Sequence, residues 1–171
     1  MSGDAREDCD PITRRILRIL ERDALTDPAQ IAIMLDLDVD DVRARIDLTR
    51  RNGVVLRQKI VIDWERAGEP FVVALIEVKV TPQRETGFDA IAERIYRFPE
   101  ARSVYLVSGT YDLAVHVQGR TMQDIATFVA SRLAPLEGVQ STVTHFMLRR
   151  YKEDGDIFVR TPPVERLAIT P

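Results

Sequence analysis

The order of apolar repeats after residue 70 constrains the fold more than any other feature of this chain. Residues 71–80 (FVVALIEVKV) place apolar side chains at every second position, which predicts a half-buried strand. The repeats that follow read helix, strand, strand, helix, strand, over residues 87–98, 103–108, 111–117, 121–133 and 139–148. This doubled βαβ unit predicts an α+β ferredoxin-like sandwich with both helices on one face of the sheet.

The other face of that sheet carries apolar side chains of its own. If both helices cover one face, Val73, Leu75, Tyr105 and Val107 lie on the open one. An exposed apolar patch of this kind marks an interaction site. We therefore expect the chain to self-associate through the open sheet face.

Before residue 64 the apolar spacing is helical. Asp10, Asp27 and Asp38 each stand as a capping residue at the start of an apolar stripe, which predicts three short helices. The runs VVL (54–56) and IVID (60–63) then predict a small hairpin. Three short helices followed by a hairpin form the plan of a winged helix-turn-helix.

These patterns divide the chain into five segments. They are a flexible N-terminus (1–9), a winged helix-turn-helix domain (10–63), a linker (64–70), a βαββαβ domain (71–150) and a C-terminal tail (151–171). Ile157, Phe158 and Val159 indicate that part of the tail docks on the folded chain.

Composition excludes several classes of protein. Of the 171 residues 45% are apolar, which is enough for a packed core. A single cysteine, Cys9, excludes a disulfide framework, and two histidines leave little material for a metal centre. No apolar run reaches the roughly 20 residues that span a bilayer, and the sequence has no phosphate loop, nucleophile elbow or HExxH motif. We expect a cytoplasmic protein that is not an enzyme, needs no cofactor or metal and does not engage a membrane.

The charge balance gives no hint of a broad nucleic-acid-binding surface, because such surfaces are basic and this chain has a net charge of −3. Of its 24 basic residues 21 are arginine, the better bidentate donor to phosphate and guanine. A GC-rich genome would produce the same bias. Residues 1–63 carry 11 basic and 13 acidic side chains, a net charge of −2.

The order of elements resembles the Lrp/AsnC family (feast/famine regulatory proteins) of bacterial and archaeal transcription regulators over about residues 9–150. The segment SGTYDLAVHV (108–117) matches the family's pattern of glycine, any residue, aromatic, aspartate and strand. NGVV (52–55), Ile62-Asp63 and EGVQSTVT (137–144) follow the family's order and spacing. The resemblance implies a regulator that binds double-stranded DNA. It also implies a homodimer formed through the sheets, octamers assembled from such dimers, and a small effector, typically an amino acid, bound between subunits.

Basic residues of the third helix and the hairpin are the candidate DNA contacts. They are Arg43, Arg45, Arg50, Arg51, Arg57 and Lys59. The alternative is a solvated helix face with ion pairs such as Asp41–Arg45 and Asp47–Arg51. Asp40 and Asp41 at the front of the helix would repel phosphate, although aspartate accepts from cytosine N4.

Asp36, Asp38 and Thr49 depart from the family pattern. Asp38 stands where the family has a serine cap, and aspartate caps a helix equally well. Asp36 stands where the family has a glycine in the helix-turn-helix turn, and aspartate adopts the left-handed conformation at modest cost. Thr49 stands where the family has a buried leucine, and we expect Leu48 to compensate.

The glycine turn of the best-matching segment is the candidate effector site, together with two threonines of the last strand. Its residues are Gly109, Thr110, Tyr111, Asp112, Thr142 and Thr144. Asp112 suits an α-ammonium group, and the threonine hydroxyls suit the carboxylate end. The alternative is a simple hairpin turn made by Gly109 and stabilised by Asp112. His116 and His145 approach one another only if His116 lies on the open sheet face, and strand histidines are more often interface or surface residues than ligands.

Two other functions stay open. The charge balance favours an effector-sensing interaction module with a degenerate helix-turn-helix that does not bind DNA tightly. The same two-module plan also resembles siroheme decarboxylases, but the aromatic and arginine residues of those enzymes are not evident here. The sequence ranks the DNA-binding regulator first and the interaction module second.

Overall fold

The computed structural model describes residues 9–81 and 87–159. Its internal contacts divide the chain into two compact units, with the boundary between Ile62 and Asp63. The predicted N-terminus up to residue 8 and the tail from residue 160 onward lie outside the described residues.

The first unit consists of three helices around a small apolar core. They are α1 (Pro11–Arg22), α2 (Pro28–Leu35) and α3 (Val39–Arg51). Each begins where the sequence predicts, because a capping aspartate before it accepts a backbone N–H at 2.7–2.9 Å. The buried core residues are Ile16, Ile31, Ala32, Val42 and Ile46.

The turn between α2 and α3 has three residues, Asp36–Asp38. Asp36 lies in the left-handed region with φ 56° and ψ 55°, and this reverses the chain directly after α2. The expectation that Asp36 adopts the left-handed conformation in this turn is confirmed.

Thr49 is buried, and its hydroxyl donates to the Ile46 carbonyl at 2.7 Å. The helix backbone therefore satisfies the hydroxyl inside the core. Leu48 is 50% exposed, so the expectation that it compensates for Thr49 is wrong. Neighbouring residues on a helix point about 100° apart, and Leu48 cannot reach the core that Thr49 faces.

The predicted hairpin over 54–56 and 60–63 is absent: residues 54–63, all described, contain no strand. Leu56 and Ile60 are 89% and 69% exposed, so these runs have no apolar surface to pack against. An isolated two-stranded hairpin is marginal without such packing, which explains the missing wing. The segment is instead attached by Gln58, whose side-chain amide donates to the Ala24 carbonyl at 3.2 Å.

The second unit contains a four-stranded antiparallel sheet and two helices. In chain order these are β1 (Val72–Val80), α4 (Asp89–Tyr96), β2 (Ala101–Leu106), β3 (Leu113–Gly119), α5 (Met122–Phe128) and β4 (Val139–Phe146). The strands lie in the order β2-β3-β1-β4, and α5 continues as a π-helical turn over Val129–Leu133. The predicted α+β order of strands and helices is confirmed.

One face of this sheet packs against α4 and α5. Alternate residues of β1, one of the two inner strands, are buried there: Ala74, Ile76, Val78 and Val80. The two helices contribute Ile91, Ile95, Ile125 and Phe128 to the same core. The period-two pattern of residues 71–80 therefore predicted the buried face correctly.

The start of the predicted tail folds into a small hairpin, β5 (Lys152–Glu153) and β6 (Asp156–Ile157). Phe158 is half-buried: its N–H donates to the Tyr151 carbonyl at 3.0 Å, and its ring lies 3.5 Å from the Arg150 guanidinium. Docking is thus confirmed for Phe158, whereas Ile157 is exposed. Among the described residues no helix is long and apolar enough to cross a membrane.

Candidate functional site

The side of α3 that faces solvent carries two aspartate–arginine pairs. Val42, Ile46 and Thr49 bury the opposite side. Arg43 Nη1 lies 3.1 Å from Asp40 Oδ1, and Arg50 Nη1 lies 3.3 Å from Asp47 Oδ1. The predicted pair of Asp47 with Arg51 is wrong, because Arg50 three residues on reaches the same carboxylate.

Arg45 has a different environment from the other predicted DNA contacts. Its Nη1 lies 2.7 Å from Asp10 Oδ2, its Nε lies 2.8 Å from Asp41 Oδ2, and it donates to the Thr13 hydroxyl at 2.9 Å. Its side chain is only 26% exposed. Arg45 therefore joins α3 to the start of α1, and it is less available to DNA than Arg43 or Arg50. The predicted Asp41–Arg45 pair is confirmed.

Because of the same contacts, the stability of the first unit decreases at acid pH. The Thr13 hydroxyl and backbone N–H, with help from the Ile12 N–H and Arg45, lower the pKa of Asp10 from 3.8 to about 2. The folded carboxylate thus binds its proton less tightly than the unfolded one. Its contribution to stability is present above pH about 4 and is lost as the pH falls toward about 2.

We expect Asp10→Asn to remove this pH dependence. Between pH 5 and pH 2.5 the variant loses less stability in urea unfolding than the unmodified chain does, because asparagine has no proton to gain. Asparagine also caps helices, so the start of α1 is retained. Identical losses in the two proteins would contradict the assignment.

Arg57 and Lys59 lie in residues 54–63, which follow α3 and contain no helix or strand, and Arg51 lies at the end of α3. All three are exposed, and none forms an ion pair with the described part of the chain. They remain predicted phosphate contacts.

The candidate effector turn spans residues 107–112 between β2 and β3. Asp112 Oδ2 accepts the Val80 N–H at 2.9 Å and lies 3.6 Å from Lys79 Nζ, which also donates to the Thr110 carbonyl at 3.2 Å. The register of β1 against β4 shifts between Lys79 and Val80, and Asp112 binds the Val80 N–H at this shift. The contact favours the alternative in which Asp112 stabilises the turn, and Lys79 is a neighbour that the sequence did not indicate.

The remaining candidates lie at the same end of the sheet. Val78 pairs with both Leu113 and Thr142, so Thr142 is two strand spacings, about 10 Å, from the start of β3. Thr144 lies one row further along β4, opposite Ile76. Because Val78 and Ile76 face the helices, both threonine side chains lie on that face too, whereas Lys79 lies on the open face. Gly109 has neither a left-handed φ nor crowding around its Cα, so a tight turn does not explain the glycine.

Both histidines lie on the open face of the sheet. Leu75 on β1 pairs with His116 on one side and His145 on the other, so the three side chains form one row. His145 Nε2 lies 3.1 Å from Glu77 Oε1, and the His116 ring meets the edge of Tyr105 with centroids 6.2 Å apart. The histidines are thus separated by Leu75. Within residues 9–81 and 87–159 no three His, Cys, Asp or Glu side chains gather as a metal site would require.

A cavity of about 170 Å³ lies in the second unit, away from the candidate effector turn. It is lined by Asp63, Glu65, Arg149, Arg150, Phe158 and Val159. None of the predicted effector residues lines it, and two of its lining residues, Phe158 and Val159, belong to the tail segment that the sequence predicts to dock.

Comparison with known proteins identifies the second unit. Residues 73–157 match the family model of the Lrp/AsnC ligand binding domain. An uncharacterized HTH-type transcriptional regulator of Bacillus subtilis, YugG, is 44% identical over 157 residues, which cover 91% of this chain and 95% of that protein.

Solved structures share the fold. Escherichia coli AsnC superimposes with a TM-score of 0.68 at 17% identity and covers 85% of this chain and 96% of its own. A Neisseria meningitidis transcriptional regulator in complex with L-Met superimposes with a TM-score of 0.70 at 19% identity, covering 85% and 94%. From the family model and the identity to YugG, the chain belongs to the Lrp/AsnC family of transcription regulators.

Proposed function

We propose that the chain is a DNA-binding transcription regulator that responds to an amino acid through its βαββαβ unit. The observation that carries the proposal is the 44% identity, over 91% of the chain, to a helix-turn-helix regulator. The three-residue turn between α2 and α3 suits a helix-turn-helix, in which the second helix enters the major groove. Such a regulator acts on chromosomal DNA, and we place it in the cytoplasm.

Self-association is part of the proposal. Tyr105 and Val143 are each at least 50% exposed on the open sheet face, beside half-buried Leu75. An apolar face of this kind supports a homodimer that packs sheet against sheet. Two helix-turn-helix units on one dimer would then address two DNA half-sites, and assembly of dimers into octamers would multiply the contacts.

The effector part of the proposal rests on the ligand-binding family model and on the L-Met complex of the structural neighbour. Asp112 uses its Oδ2 for the contacts with Val80 and Lys79, and the Asp112 and Lys79 side chains bring opposite charges to one end of the sheet. An amino acid carries the complementary pair of charges. We propose that it binds at this end of the sheet and changes DNA affinity through assembly, a coupling of typically about 1–3 kcal/mol.

A second candidate is an interaction module that does not bind DNA tightly. The pairing of Asp40 with Arg43 and of Asp47 with Arg50 favours it, because the carboxylates cancel charge that would otherwise attract phosphate. DNA binding separates the two candidates.

The test is fluorescence anisotropy of the full chain on DNA from upstream of its own gene and on random DNA of equal length. We expect tighter binding to the upstream DNA and a steep loss of affinity with salt. The double variant Arg43→Glu, Arg57→Glu should lose the binding. The double variant Arg94→Glu, Arg120→Glu, at two exposed positions of the second unit, changes the net charge equally and should keep it. Equal affinity for both DNAs at every salt concentration would favour the interaction module. Repeating the titration with each amino acid tests the effector, and no change in DNA affinity with any of them would contradict that part.

A further inference from the structure

The solvent-facing side of α3 repeats one arrangement after seven residues. Asp40 with Arg43 and Asp47 with Arg50 are both i,i+3 pairs, and in each one guanidinium nitrogen, Nη1, donates to one carboxylate oxygen, Oδ1. Seven residues are close to two helical turns, so the two pairs point in nearly the same direction.

These pairs differ from the contacts of Arg45. The side chains of Arg43 and Arg50 are 59% and 48% exposed, and those of their aspartates are 83% and 62% exposed. Exposed pairs of this kind contribute little to folding. The pairs are therefore available for binding rather than committed to holding helices together.

Each pair leaves most of the guanidinium unoccupied. Arginine has five N–H donors in a planar fork, and these pairs use a single Nη1 contact. The remaining Nε and Nη2 donors match the O6 and N7 acceptors of guanine in the major groove. An aspartate that accepts from Nη1 restricts the orientation of the guanidinium plane. The Nε and Nη2 donors are then presented together, as a bidentate contact requires.

The separation of the pairs sets a base-pair spacing. Seven residues advance about 10 Å along a helix, and successive bases are about 3.4 Å apart along the duplex axis and further apart along the groove. We propose that Arg43 and Arg50 read two guanines that lie two to three base pairs apart in each half-site, and that Asp40 and Asp47 are the positioning residues for them. This inference rests on the proposed function, since it needs α3 to enter the major groove.

The aspartates have a second consequence. A carboxylate near the DNA backbone repels phosphate and reduces the release of counterions that drives non-specific binding. The same two residues that orient the arginines therefore lower affinity for random DNA. The net negative charge of the first unit therefore favours selectivity. Contacts to bases must supply the binding free energy that contacts to the DNA phosphates do not supply.

The experiment selects bound sequences from a random DNA library with the full chain and with Asp40→Ala, Arg43→Ala and the double variant. Glu21→Ala, an exposed residue of α1 that changes the net charge equally, is the matched control. We expect two preferred guanines at the stated spacing with the unmodified chain. Asp40→Ala should lower the preference at one of them by about tenfold, the scale of a good bidentate contact, while raising affinity for random DNA. Arg43→Ala should abolish the same preference, and adding Asp40→Ala to it should change no base preference further.

The outcomes separate the inference from the proposed function. Absence of any sequence-selective binding by the unmodified chain would overturn both. Selective binding without guanines at this spacing would overturn the inference alone. A base preference that Asp40→Ala changes even without Arg43 would show that Asp40 contacts a base directly, which also overturns the positioning role. Thermal unfolding of each variant confirms that it is folded, and Glu21→Ala must keep the selected sequence.

Discussion

Replacing Leu75 with aspartate is expected to convert the proposed dimer into a folded monomer. Leu75 lies on the open face of β1, an inner strand of the sheet, between His116 and His145. In a monomer this face meets water and a carboxylate there costs little. In a sheet-on-sheet dimer the same carboxylate would be buried, and of the two histidines beside it His145 already contacts Glu77 and His116 packs against Tyr105. A buried charge without a partner costs roughly 3–5 kcal/mol. A loss of that size raises the dissociation constant of the dimer at least about a hundredfold.

Analytical ultracentrifugation over a range of concentrations measures this effect. The control is Ala126→Asp, which adds the same charge at an exposed position of α5 on the helical side of the sheet. We expect the control to sediment as the unmodified chain does. A folded Leu75→Asp variant that still sediments as a dimer would place the interface somewhere other than the open face.

Replacing the next residue, Ile76, with alanine is expected to act on folding instead. Ile76 has no exposed surface and packs in the core between the sheet and the two helices. Truncating a buried isoleucine to alanine costs about 2–5 kcal/mol, through lost burial and the cavity left behind. Because a domain of this size is stable by only about 5–15 kcal/mol, the substitution removes a large share of its stability.

Denaturant unfolding followed by circular dichroism checks this prediction. Association stabilises a folded chain by mass action, so the comparison is made in the Leu75→Asp background, where the dimer is absent. Val73→Ala, on the open face of the same strand, is the control and should cost less than about 1 kcal/mol. Equal losses for Ile76→Ala and Val73→Ala would mean that the two faces of β1 are not differently buried.

The adjacent residues Leu75 and Ile76 show why the strand was predictable. Successive side chains on a strand point to opposite faces, so a period of two in residues 71–80 separates buried from open positions without any knowledge of the rest of the fold. The helix starts were predictable for a similar reason, since a capping aspartate acts on N–H groups two or three residues away.

The candidate sites were less predictable because their contacts are long-range. Arg45 meets Asp10, 35 residues earlier, and Asp112 meets Val80, 32 residues earlier. The spacing of residues along the chain therefore does not predict either contact. The failed hairpin over 54–63 has the same origin: its apolar residues favour strands, but the first unit offers them no surface to pack on.

The sequence by itself determined the order of helices and strands, the buried face of β1, the helix caps and the family. Each of these depends on residues within a turn or a few positions of each other, or on the order of elements along the chain. Only the tertiary structure decided which charged side chains are available to bind a ligand or DNA. It committed Arg45 and Asp112 to contacts between elements, left Arg43 and Arg50 on the surface with their aspartates, and placed both histidines beside Leu75. The reason is physical: an ionic contact depends on distances of about 3 Å in space, and those distances are fixed only when the elements pack.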